Sequence, residues 1–385
     1  MIRLANKKKQ HFVPQFYLKK FSDNNGFLNV YNIPKDKTIN HAHFSSQCKS
    51  DYYYGDDLVW ENTLQSFESG WGAAFNSILN GDFSDSVIKE MKSFAVFQYQ
   101  RSKCNNDFKI DERTEVAKKI FETYCENKEW DFSDEAIEKA VKDYTDDSLG
   151  SVPQFSLEMA SDLSDLINDL GSLVITYNTK NELITSDNPV ILINRFCEGT
   201  TGFACLGLII FFPISPKKLM VFYDSKVYPK FSGKKNITIN NENEVLNLNV
   251  FQLVSAEKIV LYKDFMRFTD FHKALLIRKS NLAIEKAQML GSKEQKLIIN
   301  TMKPTIYECS LSFAVMCKEA ESILYPCREA IPRKHEKGWE DKLINKAEIM
   351  PKIQSLNMVR ITQTQKSTRK ACLAMLKFAQ KYWRS

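Results

Sequence analysis

The spacing of apolar residues changes near residue 170, and this change limits the folds open to the chain. From Leu58 to Leu79 apolar residues recur every three or four positions, and a second helix is predicted from an N-cap at Ser84 to Arg101. After residue 172 the apolar runs become short and β-rich, with Asn, Asp, Gly and Pro between them. Short connections favour antiparallel strands. The sequence therefore predicts an α+β fold, with helices packed on a short-stranded, mainly antiparallel sheet.

A chain of 385 residues exceeds the usual size of one core, so two units are predicted. The first, residues 1–280, holds an N-terminal ribbon, helices over 58–170, a sheet over 172–224 and late helices over 242–278. The second, residues 281–385, is predicted to be a basic, mainly helical extension. Residues 331–385 contain 13 Lys and Arg against 4 Asp and Glu. This excess fits contact with nucleic acid or a partner protein, and it fits a solvated helix surface equally well.

Several classes of protein are disfavoured by what the sequence lacks. It has no apolar run of membrane-spanning length, and no apolar segment follows the basic N-terminus as in a secretory signal. Nine cysteines at irregular spacing favour reduced thiols, so a cytoplasmic protein without membrane contact is predicted. The phosphate-loop, dinucleotide, zinc-protease and serine-hydrolase motifs are missing, which argues against those enzyme classes.

One N-terminal motif carries a resemblance. The stretch His11-Phe-Val-Pro-Gln-Phe-Tyr-Leu18, followed by Phe21, resembles the opening signature of the family catalogued as domain of unknown function 4238. Further matches are Glu61 and Glu68 with Trp71, Gln98-x-x-Arg101, Ser186-Asp187-Asn188-Pro189, Phe212-Pro-Ile-Ser-Pro216 and Asn249-x-x-Gln252. The resemblance covers about residues 10–270 and implies no activity, so function has to be argued from the residues.

Four of these residues are candidates for catalysis. Pro14 biases the ribbon toward extended backbone, which presents His11 and Gln15 along it. His11 could act as a general base or metal ligand, or it could bond to backbone and fix the ribbon. Gln98 and Arg101 follow an apolar helix face, where an arginine either contacts phosphate or pairs with a carboxylate. Asp187 is the expected partner for such a pair.

Three acidic residues are candidate ligands for Mg²⁺ or Mn²⁺. Glu61 and Glu68 are seven residues apart and project from one face of a helix. Asp187 follows a predicted strand, where an Asx-turn would also explain it. Helical glutamates are more often solvated than buried. His41 and His43 form the only close histidine pair, and no third ligand is evident for them.

Two hypotheses for function follow. The first is a metal-dependent nuclease or phosphoesterase in which Glu61, Glu68 and Asp187 hold the cation, His11 is the base and Arg101 stabilises phosphate. The second is a non-enzymatic binding or regulatory protein whose polar positions are structural. A role in bacterial defence would fit either one. An Arg101 sealed by a carboxylate would favour the second.

Overall fold

The computed structural model describes residues 8–55, 58–103, 133–149, 152–196, 201–263, 288–291, 296–299 and 309–322, with the single positions 106, 118, 122, 275, 276 and 333. Helices and mainly antiparallel strands both form in this part of the chain. The predicted α+β fold is therefore confirmed. Among the residues described, no helix is both long enough and apolar enough to cross a membrane.

Seven α-helices lie in the described residues. They are α1 (Gln15–Leu18), α2 (Val59–Leu79), α3 (Asp85–Arg101), α4 (Asp134–Leu149), α5 (Val152–Asp165), α6 (Glu242–Ser255) and α7 (Lys318–Glu321). The bounds of α2 and α3 confirm the helices predicted from apolar spacing, and Ser84 is the N-cap residue of α3. The two helices pack through aromatic side chains, because the rings of Phe75 and Phe94 lie 4.8 Å apart in an edge-to-face arrangement.

Within the described ranges, the strands form two larger sheets and two small ones. They are β1 (Lys9–His11), β2 (Phe27–Asn32), β3 (Lys37–His43), β4 (Lys49–Asp51), β5 (Gly171–Tyr177), β6 (Thr185–Ser186), β7 (Ile191–Asn194), β8 (Leu208–Ser215), β9 (Lys218–Tyr223), β10 (Asn236–Ile239), β11 (Ile259–Tyr262), β12 (Gln288–Gly291) and β13 (Lys296–Ile299). The five-stranded sheet has the order β10-β5-β9-β8-β7, with only the β10–β5 pair parallel. The four-stranded sheet has the order β3-β2-β11-β6, and its pairs are antiparallel.

Both faces of the five-stranded sheet are buried, so its central strands are continuously apolar. Along β8, Ile210 and Phe212 belong to a core shared with α2, α3 and α5. The alternate residues Ile209 and Phe211 belong to a second core that includes Phe251 of α6. Burial of each such large side chain contributes roughly 1.5–3 kcal/mol.

The late helical region differs from the prediction. The helix α6 ends at Ser255, and Ile259–Tyr262 forms β11, so the predicted helix through residue 278 was wrong for this stretch. A run of four apolar residues has no period that separates a strand from a helix. Pairing decides the outcome, because β11 lies between β2 and β6 in the four-stranded sheet.

Part of the predicted C-terminal extension packs on the core. Residues 309–322 cover the second face of the five-stranded sheet, where Phe313 is 2% exposed and its ring lies 5.7 Å from that of Phe211. The buried carboxylate of Glu244 accepts bonds from the Ser312 hydroxyl (2.8 Å) and the Tyr177 hydroxyl (2.7 Å). The division into two units remains a prediction. The rest of the extension predicted over residues 281–385, apart from 288–291, 296–299 and 333, lies outside the described residues.

Candidate functional site

The N-terminal motif forms a short strand followed by a turn of helix. Strand β1 pairs with β4, with His11 opposite Lys49, and Pro14 then caps α1 with its carbonyl. Helix α1 buries Tyr17, whose hydroxyl donates to the Pro213 carbonyl and contacts the Thr185 hydroxyl, both at 2.8 Å. The proline and the tyrosine of the motif therefore anchor the ribbon to the sheet.

Arg101 occupies the centre of the candidate site. Its side chain is fully buried, with 0% of the residue exposed. Its Nε donates to the carbonyl of Phe12 (3.1 Å) and Nη2 to the carbonyl of His11 (2.8 Å). Nη1 and Nη2 both donate to Oε1 of Glu68, at 3.0 and 2.9 Å. One guanidinium thus ties α3 to α2 and to the backbone of the ribbon, and we call His11, Glu68, Gln98 and Arg101 the signature cluster.

Gln98 lies one helical turn before Arg101 on α3. Its Nε2 donates to the same Phe12 carbonyl at 3.0 Å. Its Oε1 is buried and makes no hydrogen bond to any group in the described part of the chain. A buried acceptor of this kind is commonly satisfied by an ordered water. The amide side chain therefore reinforces the attachment of the ribbon to α3.

His11 is half-buried at the edge of the signature cluster. Its Nε2 donates to the carbonyl of Ser45 at 3.0 Å, which leaves Nδ1 as the acceptor of the neutral ring. Burial lowers the pKa of His11, the bond to Ser45 opposes this, and nearby Lys49 lowers it further while Glu68 raises it. The net lowering of this pKa favours a neutral imidazole at pH 7. Its bond to the Ser45 backbone matches the structural alternative predicted for His11.

Asp187 does not pair with Arg101, so the expected partner was wrong and Glu68 takes that place. Both oxygens of Asp187 accept backbone bonds instead, from Glu257 (2.8 Å), Lys258 (2.8 Å) and Ile259 (3.1 Å). The carboxylate holds the turn between α6 and β11. Burial raises the pKa of Asp187 to about 6, and the three N–H donors oppose that rise.

The raised pKa of Asp187 predicts a pH-dependent contribution to stability. The folded chain retains this proton up to about pH 6, whereas the carboxyl ordinarily loses it near 3.8. The contribution is therefore fully present below pH 4 and is lost as pH rises through 6, with a slope of up to about 1.4 kcal/mol per pH unit. Denaturant unfolding between pH 4 and 7, compared with Asp187→Asn, isolates it. Parallel stability curves for the two proteins would contradict the assignment.

The other motif residues near Asp187 bond to one another. The Ser186 hydroxyl donates to Gln252 Oε1 (2.9 Å), and Asn249 Oδ1 accepts from the Ile184 amide (3.0 Å). Gln252 Nε2 in turn donates to the Pro189 carbonyl at 2.8 Å. These contacts fasten α6 to the segment around β6. The polar motifs of this region therefore hold two elements together.

The remaining predicted residues occupy different positions. Glu61 is half-buried on α2, close enough to Arg101 to influence its pKa, and Gln15 is exposed on α1. Glu68 is partly open to water, with 28% of its side chain exposed. Among the described residues, no three His, Cys, Asp or Glu side chains form a group that could hold a metal ion. The structure brings His11, Glu68, Gln98 and Arg101 together, and it places the Asp187 carboxylate on a separate turn.

Two contributors to the site were not singled out from sequence. Gln10 donates to the Gly55 carbonyl (2.9 Å) and accepts from the Tyr54 amide (2.6 Å), although it is 0% exposed. The Tyr54 hydroxyl donates to the His11 carbonyl at 3.3 Å. A polar residue in a three-residue strand carries no periodic signal. Its position directly before the motif was the available hint.

These features define an α+β protein whose N-terminal motif is bonded into the fold through one buried arginine. The family model described as "Protein of unknown function (DUF4238)" matches residues 9–265, about two thirds of the chain. The chain belongs to this family. No curated protein and no solved structure matches it.

Proposed function

We propose that this chain is a non-enzymatic binding protein, in which the signature cluster maintains the fold and an outer surface contacts the partner. The observation that carries the proposal is the sealing of Arg101. Its guanidinium is fully buried and its donors are directed to Glu68 and to the carbonyls of His11 and Phe12. A phosphate could reach this guanidinium only by displacing those partners.

The same argument extends to the other candidates. Asp187 would have to release three backbone amides before it could ligate a cation, and each buried amide left unpaired costs about 1–3 kcal/mol. The Nε2 of Gln98 donates to the Phe12 carbonyl. These side chains are engaged in bonds within the chain, and this supports a structural role for them. We therefore assign partner binding to the surface.

A metal-dependent nuclease or phosphoesterase is the second candidate, since one observation favours it. His11 and Glu68 are neighbours in the signature cluster, and both are partly accessible to water. A neutral imidazole beside a carboxylate is a common acid–base arrangement. The separate position of Asp187 removes one of the three ligands expected for Mg²⁺ or Mn²⁺.

An activity assay separates the two candidates. The purified full chain is incubated with single- and double-stranded DNA and RNA in Mg²⁺ or Mn²⁺, beside Glu68→Gln and the exposed control Glu90→Gln. We expect the unaltered full chain to cleave no more nucleic acid than Glu68→Gln does in the same assay. Cleavage that Glu90→Gln retains and Glu68→Gln loses, while Glu68→Gln remains folded under the assay conditions, would defeat the proposal.

A further inference from the structure

An aromatic surface lies beside the signature cluster, at the open end of the β2–β3 hairpin. It consists of Phe27, His41, His43 and Phe44, and we call it the hairpin patch. The ring of Phe27 lies 5.9 Å from that of His41 and 5.5 Å from that of His43. The ring of His43 stacks on Phe44, with centroids 4.7 Å apart and an interplanar angle of 27°. Four rings are therefore grouped on one surface.

Strand alternation places His41 and His43 on one side of β3, and the pairing of Phe27 with His43 puts Phe27 on that side. Strand β3 has an irregular register opposite Leu28 and Val30, and His41 there adopts a positive φ of 54°. Such a bulge places two residues of β3 opposite one of β2 and bends the strand locally. A left-handed conformation for a residue other than glycine costs roughly 1–3 kcal/mol, and such costs are often met at functional sites.

The patch is held in place and remains accessible. Phe27 is 36% exposed, and His41 and His43 are exposed. The Nδ1 of His43 accepts bonds from the Ser45 hydroxyl (2.8 Å) and amide (3.3 Å), so its Nε2 carries the proton. Gly26, at φ +84°, allows that ring to approach, because a Cβ there would lie 2.8 Å from His43 Nε2. The rings are therefore preorganised before a partner arrives.

The net positive charge of the ribbon and hairpin favours a polyanionic partner. Residues 8–52 contain seven lysines against three aspartates. One aspartate, Asp23, accepts from the Phe27 amide (2.8 Å) and the Asn25 amide (2.9 Å). Another, Asp51, pairs with Lys8 and Lys9. At the far end of β3 stand Lys35 and Lys37, both exposed, and the third aspartate, Asp36, lies between them and accepts from the Tyr31 hydroxyl.

Exposed aromatic rings and lysines at the edge of a sheet are suited to binding a single nucleic-acid strand. β3 is the outer strand of its sheet, and its seven residues extend for about 20 Å. Unpaired bases stack on aromatic side chains at about 1–3 kcal/mol per base, while cations follow the phosphates. An apolar protein partner would be less favoured, because Ile39 is the only large aliphatic side chain among the exposed residues of β3.

We infer that the hairpin patch binds single-stranded nucleic acid, with Phe27 stacking on a base and Lys37 contacting the backbone. This inference rests on the proposed function and names the partner class for it. The position of the patch also assigns a supporting role to the signature cluster. His11 of that cluster bonds to Ser45, which bonds to His43, so the buried cluster supports the surface that binds.

Fluorescence anisotropy of labelled single-stranded DNA and RNA with the full chain tests the inference. We expect Phe27→Ala to weaken binding about tenfold or more, and Lys37→Gln to lower the slope of log affinity against log salt by about 1. The matched control is Met159→Ala on α5, which is 38% exposed against 36% for Phe27 and should bind normally. The DNA and RNA arms show which nucleic acid is preferred.

Three results of the titrations would overturn the inference: no binding by the full chain, equal binding by Phe27→Ala, or an equal loss of binding in Met159→Ala. A fourth contradicting result would be that the full chain binds a protein instead of the oligonucleotide and that Phe27→Ala abolishes this binding, which would identify a protein partner. The oligonucleotide is examined on a gel after each titration. Cleavage that depends on Glu68 would defeat the proposed function while leaving the surface intact, so the two failures are distinguishable.

Discussion

Replacing Arg101 by methionine is expected to lower the free energy of unfolding by about 3 kcal/mol. Removing one partner of a buried ion pair costs about 3–5 kcal/mol, because the groups left behind lose charge-assisted bonds. The lower end applies here, since Gln98 still donates to the Phe12 carbonyl and Tyr54 to the His11 carbonyl. Glu68, with 28% of its side chain exposed, can also turn toward water. Urea denaturation at pH 7 measures the loss.

The control for this prediction is Glu68→Gln. A glutamine oxygen still accepts from the guanidinium, so we expect a loss of about 1 kcal/mol. A change of less than 1 kcal/mol for Arg101→Met would contradict the account, because the guanidinium would then contribute little to the fold. Equal losses in the two variants would show that the charge pair dominates over the bonds to the ribbon carbonyls.

Replacing Phe313 by alanine is expected to cost about 3–5 kcal/mol. Phe313 is 2% exposed, and it fills the second core between the five-stranded sheet and α6, near Phe211 and Phe251. Deleting a buried aromatic ring removes its transfer free energy and leaves a cavity. Thermal and urea unfolding of the full chain provide the measurement.

Val315→Ala supplies a matched control, since Val315 lies two residues further along the same segment and is 45% exposed. Its substitution should change stability by less than about 0.5 kcal/mol. Similar losses for the two variants, or no loss for Phe313→Ala, would mean that residues 309–322 do not complete the core. Because the family match ends at residue 265, this result also decides how much chain the family core needs.

Apolar spacing was sufficient to predict α2, α3 and the strands β8 and β9. Long amphipathic helices carry a periodic signal, and apolar runs of strand length bounded by Asn, Asp, Gly or Pro indicate buried strands. The strand β11 was missed because four residues hold too little pattern, and its pairing with β2 is more than 220 residues distant in sequence. The docking of Phe313 was missed for a similar reason, since the apolar run from Phe313 to Met316 holds only four residues and shows no distinguishing period.

Four of the seven candidate site residues lie together in the structure, and their functional role stays a prediction. His11, Glu68, Gln98 and Arg101 were singled out from the sequence, and they do lie together. Asp187 was the expected partner of Arg101, and this choice was wrong because Glu68 takes that place. That choice depends on how α2 docks against α3 and on which backbone amides the turn after α6 leaves unpaired. Neither quantity is encoded in local spacing.

Under the proposed function, the hairpin binds the partner and the N-terminal ribbon has a structural role. Its inner side is bonded to α2 and α3 through Arg101, while the nearby hairpin presents Phe27 and two histidines to solvent. Preorganisation of such a surface reduces the entropy lost on binding. Variants of the buried cluster should therefore weaken binding only through loss of structure, whereas Phe27→Ala acts on binding directly.

Amide hydrogen exchange of Arg101→Lys tests the central claim most directly, since lysine keeps the charge but cannot offer the planar fork that reaches Glu68 and both carbonyls. The account predicts faster exchange at Phe12, Tyr52 and Tyr54, whose amides bond within the ribbon region, with protection in β8 and β9 unchanged. Unaltered protection of the ribbon amides in that variant would contradict it.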